Sequence, residues 1–151
     1  MTKIGINAHV PNSHDIQVLN ELNPFWVRVD FNWYDLEPTK GNFRFSKFDT
    51  LVSTLNTNIK IFPTLAYTPV WANGTGKNHP PTNILDWTNF VEQCVKRYES
   101  KIKHWGIWNE PNLREFWDES RGIFINNILK PAYNIIKGIN TDLIVVASDI
   151  S

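Results

Sequence analysis

The chain of 151 residues lacks several features that would assign it to a functional class directly. Its single cysteine, Cys94, excludes an internal disulfide and lies among apolar residues at helical spacing, which favours a buried thiol over a nucleophile. Fifteen basic and fifteen acidic residues give a formal net charge of zero, and the basic residues form no stripe. We therefore expect no nucleic-acid partner. No apolar run is long enough to span a bilayer, so we also expect no membrane partner.

Metal and nucleotide motifs are missing from the sequence as well. The four histidines show no metal-ligand spacing, and no glycine-rich phosphate loop follows a predicted strand. We therefore expect neither a metal nor another cofactor. The N-terminus leads directly into a strand pattern, without the basic-then-apolar layout of a secretion signal. Cytoplasmic is the default expectation for localisation, and a secreted protein remains an alternative if a signal peptide was removed.

Strand and helix patterns alternate along the whole chain, with no linker, repeat or low-complexity segment. Such alternation is typical of βαβ units and a parallel sheet. Strand patterns cover residues 3–9, 25–31, 59–65, 104–108 and 143–147. Helix patterns cover residues 13–22, with Ser13 as the expected cap, then a face formed by Phe48, Leu51, Val52 and Leu55, then 86–101 and 122–138. A loop at 67–85 is long enough to suggest a functional role.

The motif Trp108-Asn109-Glu110-Pro111-Asn112 lies at the predicted end of the fourth strand. In a (β/α) barrel, the carboxyl ends of the strands form the rim that carries the chemistry. Pro111 biases the residue before it toward extended backbone. We therefore expect Glu110 to continue the strand direction, with its carboxyl facing the mouth of the barrel.

This motif resembles that of the clan A glycoside hydrolases, and family 39 is the most similar. These are retaining enzymes on (β/α)8 barrels, whose acid/base is the Glu of an Asn-Glu-Pro motif after strand four. The resemblance continues through Val27-Arg-Val-Asp30 with Trp33, through Glu37-Pro38 to Phe45 around Gly41, and through residues 63–71 and 87–98. It implies an α/β fold of (β/α)8 TIM-barrel type. Because such a barrel needs about 250 residues, residues 1–151 would supply its N-terminal part, about four and a half βα units with strands one to five.

The resemblance also implies a retaining β-glycosidase that hydrolyses O-glycosidic bonds of an oligo- or polysaccharide. Glu110 would be the acid/base, and Asn109 would hydrogen-bond the sugar 2-OH. Retaining hydrolysis needs a second carboxyl about 5–5.5 Å from the first, and in the family it follows strand seven, outside this chain. Among the later carboxylates of the chain, only Asp149 is a candidate at the rim. We therefore expect the isolated chain to be inactive.

Arg28 lies in an otherwise apolar strand, on the same face as Trp26 and Asp30. A charge in that position needs a partner. Two interpretations remain open: an ion pair with Asp30, or the role that the resemblance implies, which is to brace the nucleophile by a charge-assisted hydrogen bond.

Seven tryptophans are an unusually high number for a chain of this length. Three of them fall in loops after strands two, three and four, where an indole could stack on a sugar ring. The predicted substrate contacts are Trp71, Trp117 and Trp33, with Tyr67 and His9 as weaker candidates near strand ends. The other four fall within predicted elements and are expected in the core: Trp26, Trp87, Trp105 and Trp108.

Two alternatives from other functional classes remain open. The chain could be a catalytically silent carbohydrate-binding half-barrel, or a structural subunit that uses its sheet edges for assembly. In either case an open barrel leaves strand edges unpaired. We therefore expect a homo-oligomer or a complementing C-terminal half-barrel as partner, besides the carbohydrate.

Overall fold

The computed structural model describes residues 3–147. They form one five-stranded sheet in which each strand pairs in parallel with the next along the chain. The strands are β1 (Gly5–Asn7), β2 (Trp26–Asn32), β3 (Lys60–Ala66), β4 (His104–Ile107) and β5 (Ile144–Val146). The predicted α/β fold with a parallel sheet is therefore confirmed.

Helices follow the strands along the chain, mostly near the predicted positions. They are α1 (Ser13–Leu22), α2 (Trp33–Leu36), α3 (Ser46–Thr54), α4 (Val70–Asn73), α5 (Ile84–Tyr98), α6 (Arg121–Ile123) and α7 (Lys130–Ile139), with a π-helical segment (Phe124–Leu129) joining the last two. The one-turn helices α2 and α4 were not predicted. Within residues 3–147, no helix has the length and apolar character needed to cross a membrane.

The N-cap of α1 is one residue earlier than predicted. The side-chain oxygen of Asn12, rather than that of Ser13, accepts hydrogen bonds from the backbone N–H groups of His14 and Asp15, at 2.8 and 3.0 Å. The Asp15 carboxylate in turn accepts from the Asn12 backbone N–H at 2.9 Å. This reciprocal capping box satisfies donors that the first helical turn leaves without partners.

The two faces of the sheet differ in character, because side chains alternate along each strand. On β2, Val27, Val29 and Phe31 are fully buried under the helices. Trp26, Arg28 and Asp30 point to the opposite, inner face and are only partly buried, which confirms their predicted common face. The inner face is the one that a closed barrel would enclose.

The core lies between the sheet and its helices, and large apolar side chains from α5 fill much of it. Trp87, Trp105 and Trp108 are at most 1% exposed, as predicted. Trp26 is a partial exception, because it lies on the inner face with its ring edge-on to His104 at 4.6 Å. Cys94 is fully buried, and burial raises its thiol pKa well above the ordinary value. It is a core residue, not an available nucleophile.

Candidate active site

Strained backbone marks the rim, meaning the carboxyl ends of the strands. His9 follows β1 with a φ of 50°, and Tyr67 follows β3 with a φ of 67°. After β4, Trp108 has a φ of 68° and Glu110 a φ of 40°. Left-handed backbone costs a residue with a side chain roughly 1–2 kcal/mol, so it persists only where the surroundings enforce it.

The expected extended conformation of Glu110 is therefore wrong. Its carbonyl accepts a hydrogen bond from the backbone N–H of Leu113 at 3.0 Å, so the chain turns sharply directly after the motif. The indole N–H of Trp108 also donates to the Phe116 carbonyl at 2.9 Å, which holds the returning loop against the end of β4. These contacts override the local preference that Pro111 imposes. The Glu110 side chain remains half-buried at the rim.

Arg28 joins three neighbouring strands across the inner face. Its Nε donates to Thr64 Oγ1 at 3.0 Å, and its Nη2 donates to Asn109 Oδ1 at 2.6 Å. Thr64 lies on β3, and Asn109 directly follows β4. The guanidinium thus fixes the amide beside Glu110, a contact that neither interpretation of Arg28 included. Thr64 was not predicted as a site residue. A polar residue near the end of an otherwise apolar strand was nevertheless a usable signal.

The absence of a side chain at Gly106 on β4 leaves room for the contact between Thr64 and Arg28. A Cβ added at Gly106 would lie 3.1 Å from the Phe62 ring, 3.3 Å from the Pro63 carbonyl oxygen and 3.3 Å from Thr64 Oγ1. Gly106 therefore allows β3 side chains to lie directly over β4. Without that space, Thr64 could not keep its present position beside Arg28.

Tyr67 lies beside the motif. Its ring is edge-on to Trp108 at 5.7 Å and tilted against Phe116 at 6.5 Å. Burial raises the pKa of its hydroxyl, a hydrogen bond from the Asn109 side chain lowers it, and the negative charge of Asp30 raises it. The hydroxyl therefore stays protonated at neutral pH, half-buried and next to the Asn109 amide.

His9 and Asp30 form a second polar contact at the rim. His9 Nδ1 lies 2.8 Å from Asp30 Oδ2, and the two side chains are 74% and 22% exposed. The backbone N–H of Asp30 also donates to the His9 carbonyl at 2.8 Å. The pair leaves most of the imidazole accessible to a ligand.

Trp71 keeps part of its surface at the rim. Its indole N–H donates to the Glu37 carbonyl at 2.7 Å, and its ring is edge-on to Trp33 at 5.6 Å. The Lys40 ammonium lies 5.8 Å from the ring centre. The indole is therefore held rigidly, with its N–H occupied by the protein.

The predicted exposure of Trp33 and Trp117 at the rim is wrong. Trp33 is fully buried and stacks on Phe90 of α5 at 5.4 Å. Trp117 is 2% exposed and packs between Trp108 at 5.1 Å and Phe124 at 5.6 Å. Both indoles lie in short segments that fold back onto the helical layer, so they complete the core instead of offering a face to a sugar.

No role was predicted for Glu37, which is a structural residue. It is 1% exposed, and its carboxylate accepts from the Trp33 indole N–H at 2.7 Å and from the Gly41 backbone N–H at 2.7 Å. The spacing of four residues between Glu37 and Gly41 was visible in the sequence. The carboxylate fixes the loop between β2 and α3, on which Trp71 rests.

Within residues 3–147, the site after β4 combines the half-buried carboxyl of Glu110, the amide of Asn109 and the guanidinium of Arg28. Across these residues, no group of three or more His, Cys, Asp or Glu side chains could hold a metal ion. Asp149, the other predicted carboxylate candidate, lies outside the described residues.

Comparison with known proteins finds the same fold in parts of glycoside hydrolases. No family model matches the chain. A lactase/phlorizin hydrolase from Rattus norvegicus is 24% identical over 128 residues, which are 79% of this chain and 7% of that protein. A family 39 β-xylosidase from Caulobacter crescentus superimposes with a TM-score of 0.76 at 20% identity, covering 95% of this chain and 39% of that one.

Further solved structures agree on the fold. A family 39 glycoside hydrolase from Bacteroides cellulosilyticus WH2 has a TM-score of 0.70 at 22% identity, covering 97% of this chain and 32% of that one. A family 1 β-glucosidase from Exiguobacterium antarcticum B7 has a TM-score of 0.66 at 21% identity, covering 89% and 35% of the two chains. The chain thus spans about a third of the length of these structures. It has the α/β fold of part of the TIM barrel found in family 39 and family 1 glycoside hydrolases.

Proposed function

We propose that the chain is the part of a retaining β-glycosidase that carries the acid/base, acting on O-glycosidic bonds of an oligo- or polysaccharide. One observation carries the proposal: Glu110 and Asn109 directly follow β4 at the rim, and Arg28 holds the Asn109 amide at 2.6 Å. This is where a (β/α) barrel positions catalytic groups. The similar β-xylosidase and β-glucosidase structures support a β-linked sugar as substrate.

In this proposal Glu110 first donates a proton to the leaving glycosidic oxygen. It then removes a proton from the water that releases the glycosyl group. The attacking carboxylate would lie on a later strand of the complete barrel, about 5–5.5 Å from Glu110. Among the carboxylates after the fourth strand, Asp149 is the alternative that the sequence places at the rim.

Asn109 would donate one amide hydrogen to the sugar 2-OH, a contact that strengthens in the transition state. Arg28 fixes the amide by its bond to Oδ1. Trp71, Tyr67 and His9 would contact other parts of the sugar, because each keeps exposed surface at the rim. Trp33 and Trp117 are left out of this role, since both are buried.

A chimera would test the proposal. The chain is assayed alone and fused to the part of the Caulobacter crescentus β-xylosidase that follows the matched region, with xylobiose and an aryl β-xyloside as substrates. We expect only background hydrolysis by the chain alone, because a lone acid cannot supply the attacking carboxylate. In the chimera, Glu110→Gln should lower turnover of xylobiose by about 10²–10⁴-fold.

Glu115→Gln is the matched control, since Glu115 is an exposed carboxylate in the same loop. It should leave turnover unchanged. An active chimera that is indifferent to Glu110→Gln would exclude Glu110 as the acid/base. Activity of the chain alone, lost in Glu110→Gln, would show that the attacking carboxylate is within the chain, and Asp149 would be the first to test.

Carbohydrate binding without catalysis is the second candidate. The partly exposed Trp71, Tyr67 and His9 favour it, because ring stacking and hydrogen bonding do not need a nucleophile. Saturable oligosaccharide binding by a chimera that shows no hydrolysis would favour this candidate over the first.

A further inference from the structure

We propose that Asp30 is a positioning residue which fixes the tautomer of His9, so that Nε2 of the neutral imidazole accepts a hydrogen bond from a sugar hydroxyl. This assignment rests on the proposed function, since it takes the sugar to lie at the rim beside His9. It adds to that function a preference for a free hydroxyl over an ether at one position of the sugar.

Three contacts fix His9 beyond the end of β1. Its Nδ1 lies 2.8 Å from Asp30 Oδ2, and its backbone carbonyl accepts from the Asp30 backbone N–H at 2.8 Å. Its own backbone N–H donates to Asn7 Oδ1 at 3.3 Å. These contacts enforce the left-handed backbone of His9, with its φ of 50°, despite the local strain. Asp30 therefore holds both the backbone and the ring of His9.

The partner of Nδ1 decides which ring nitrogen carries the proton. An ionised carboxylate can only accept a hydrogen bond, so Nδ1 of His9 must donate to Asp30. A neutral imidazole has one N–H group, and the other nitrogen then carries a lone pair without a hydrogen. In the neutral form of His9, Nε2 is therefore an acceptor.

The imidazole, and not the carboxylate, is the group that a ligand can reach. The His9 side chain is 74% exposed, whereas the Asp30 side chain is 22% exposed. Within residues 3–147, the structure gives the ring of His9 a hydrogen bond only at Nδ1. Asp30 therefore acts on a ligand through the imidazole, by deciding which of its nitrogens has a hydrogen.

An acceptor at Nε2 distinguishes between the groups that a sugar can carry. A hydroxyl can donate to the lone pair, whereas a methyl ether offers only lone pairs of its own and leaves Nε2 unpaired. A site that hydrogen-bonds a hydroxyl discriminates against analogues that lack it. We therefore expect His9 to favour a sugar whose hydroxyl is free at the position that it contacts.

The nitrogen spectrum of the imidazole tests the tautomer without any sugar. Long-range ¹H–¹⁵N correlation at about pH 8.5, above the ordinary imidazole pKa of about 6.5, shows which nitrogen of His9 is protonated. His9→Ala assigns the signals. We expect the proton on Nδ1 in the wild type and a shift toward Nε2–H in Asp30→Asn, because an amide can also donate to Nδ1. A proton on Nε2 in the wild type, or no shift in Asp30→Asn, would overturn the proposal.

Asp35→Asn is the matched control. Asp35 is an exposed carboxylate shortly after β2 that lies 3.4 Å from the Asn32 side-chain nitrogen, and the structure gives it no contact with His9. The same change of acid to amide should leave the His9 signals in place there. A shift as large as that in Asp30→Asn would trace the effect to the lost charge and contradict the hydrogen bond as its cause. Thermal unfolding verifies the fold of both variants.

Sugar binding tests the acceptor role of His9. The probes are an aryl β-xyloside and its three mono-O-methyl ethers, one at each ring hydroxyl, titrated calorimetrically at about pH 8.5. We expect one ether to bind the wild type about three- to tenfold more weakly than the parent compound, and Asp30→Asn to lose most of this difference. Asp30→Asn should change nothing further once His9 is alanine. A residue that only supports the fold would instead lower the affinity for all four compounds alike.

The outcomes separate this proposal from the proposed function. The same discrimination among the four compounds in wild type and Asp30→Asn would refute the acceptor role. If the wild-type chain binds none of the compounds while the spectra behave as expected, the sugar assignment fails and the link between Asp30 and His9 stands. If the compounds bind but Nε2 of wild-type His9 carries the proton, the sugar site stands and the role of Asp30 is refuted.

Discussion

Single polar residues determine the shape of the rim. Arg28 carries a charge into a partly buried face, where an isolated charge would be costly, and Thr64 and Asn109 accept its hydrogen bonds. Glu37 also carries a charge into a buried position, in the loop after β2. Its carboxylate is almost fully buried and accepts hydrogen bonds from Trp33 and Gly41. These residues stabilise local geometry, and they place Glu110, Asn109 and Trp71 in fixed positions.

His104 should make folding stability depend on pH. Burial lowers its pKa below the ordinary 6.5, and the nearby Lys60 lowers it further. The unfolded chain therefore binds the proton more readily than the folded chain does. Stability should be highest above about pH 6.5 and should fall as the pH drops below that value. Urea denaturation at about pH 7.5 and about pH 5.5 measures the difference.

His104→Gln should reduce this loss of stability at acid pH, because the variant has no imidazole to protonate. His14→Gln, at an exposed position of α1, is the control and should keep the wild-type dependence. An equal loss of stability in wild type and His104→Gln would assign the effect to other groups.

For single residues, the sequence predicted the face of a strand on which a side chain lies better than it predicted burial in the loops. It placed Arg28, Trp26 and Asp30 on one face, because strand alternation is strict. It could not reveal that Trp33 and Trp117 are buried, since both follow strands in segments whose path depends on contacts with α5 and Phe124. The same limit applies to Glu110, where the bond from Leu113 overrides the preference imposed by Pro111.

At the scale of secondary-structure elements, the contact between β3 and β4 leaves no space for a side chain at Gly106. Gly106→Ala should destabilise the fold by about 1–3 kcal/mol, because the added Cβ would press on Phe62, the Pro63 carbonyl and Thr64. It should also weaken the bond between Arg28 and Thr64. Thermal and urea unfolding measure the loss of stability.

Gly138→Ala is the control for Gly106→Ala. An added Cβ at Gly138 in α7 has no neighbour within 4 Å. There the substitution should stabilise the protein by about 0.5–1 kcal/mol, because alanine favours a helix. Equal effects at the two glycines would indicate that close packing on β4 does not decide the outcome.

The long loop between β3 and α5 was predicted to be functional, and in the proposed function the partly exposed Trp71 within it contacts the sugar. Trp71→Ala should weaken xylo- or gluco-oligosaccharide binding at least fivefold, because the stacking surface is lost. Trp71→Phe should keep most of the affinity, since a flat apolar ring remains. Isothermal titration measures both, after thermal unfolding has verified the fold. Equal affinity in wild type and Trp71→Ala would exclude Trp71 from the sugar site.

The order of elements was predictable because alternating strand and helix patterns produce parallel βαβ units. The helices α2 and α4 were missed, since four residues carry too little periodicity to be recognised. The π-helical segment before α7 was also missed. Its location next to Pro131, which lacks a backbone donor, gives a physical reason for irregular helix there.

At the scale of the whole molecule, the sheet of the described residues has two edge strands. Within residues 3–147, β1 pairs with β2 alone, and β5 pairs with β4 alone. Beside β1 lies a cavity of about 520 Å³ lined in part by Ile4, Ile6, Leu22 and Phe25. Ile4 is 64% exposed and Leu22 63% exposed. Burying the exposed part of two such side chains is worth about 2–4 kcal/mol, which is a large fraction of the stability of a domain.

We therefore expect the chain to self-associate, or to bind a partner that supplies further strands, through its exposed edges. Light scattering and sedimentation at micromolar concentration should give a mass above the 17.6 kDa of the monomer. Leu22→Lys should shift the chain toward monomer. A positive charge is favourable at the C-terminus of α1 but opposes burial of this position in an interface. Leu85→Glu is the control: Leu85 is 67% exposed, and a negative charge suits the start of α5. A wild-type chain that stays monomeric with a sharp thermal transition would show that its edges are stable in water.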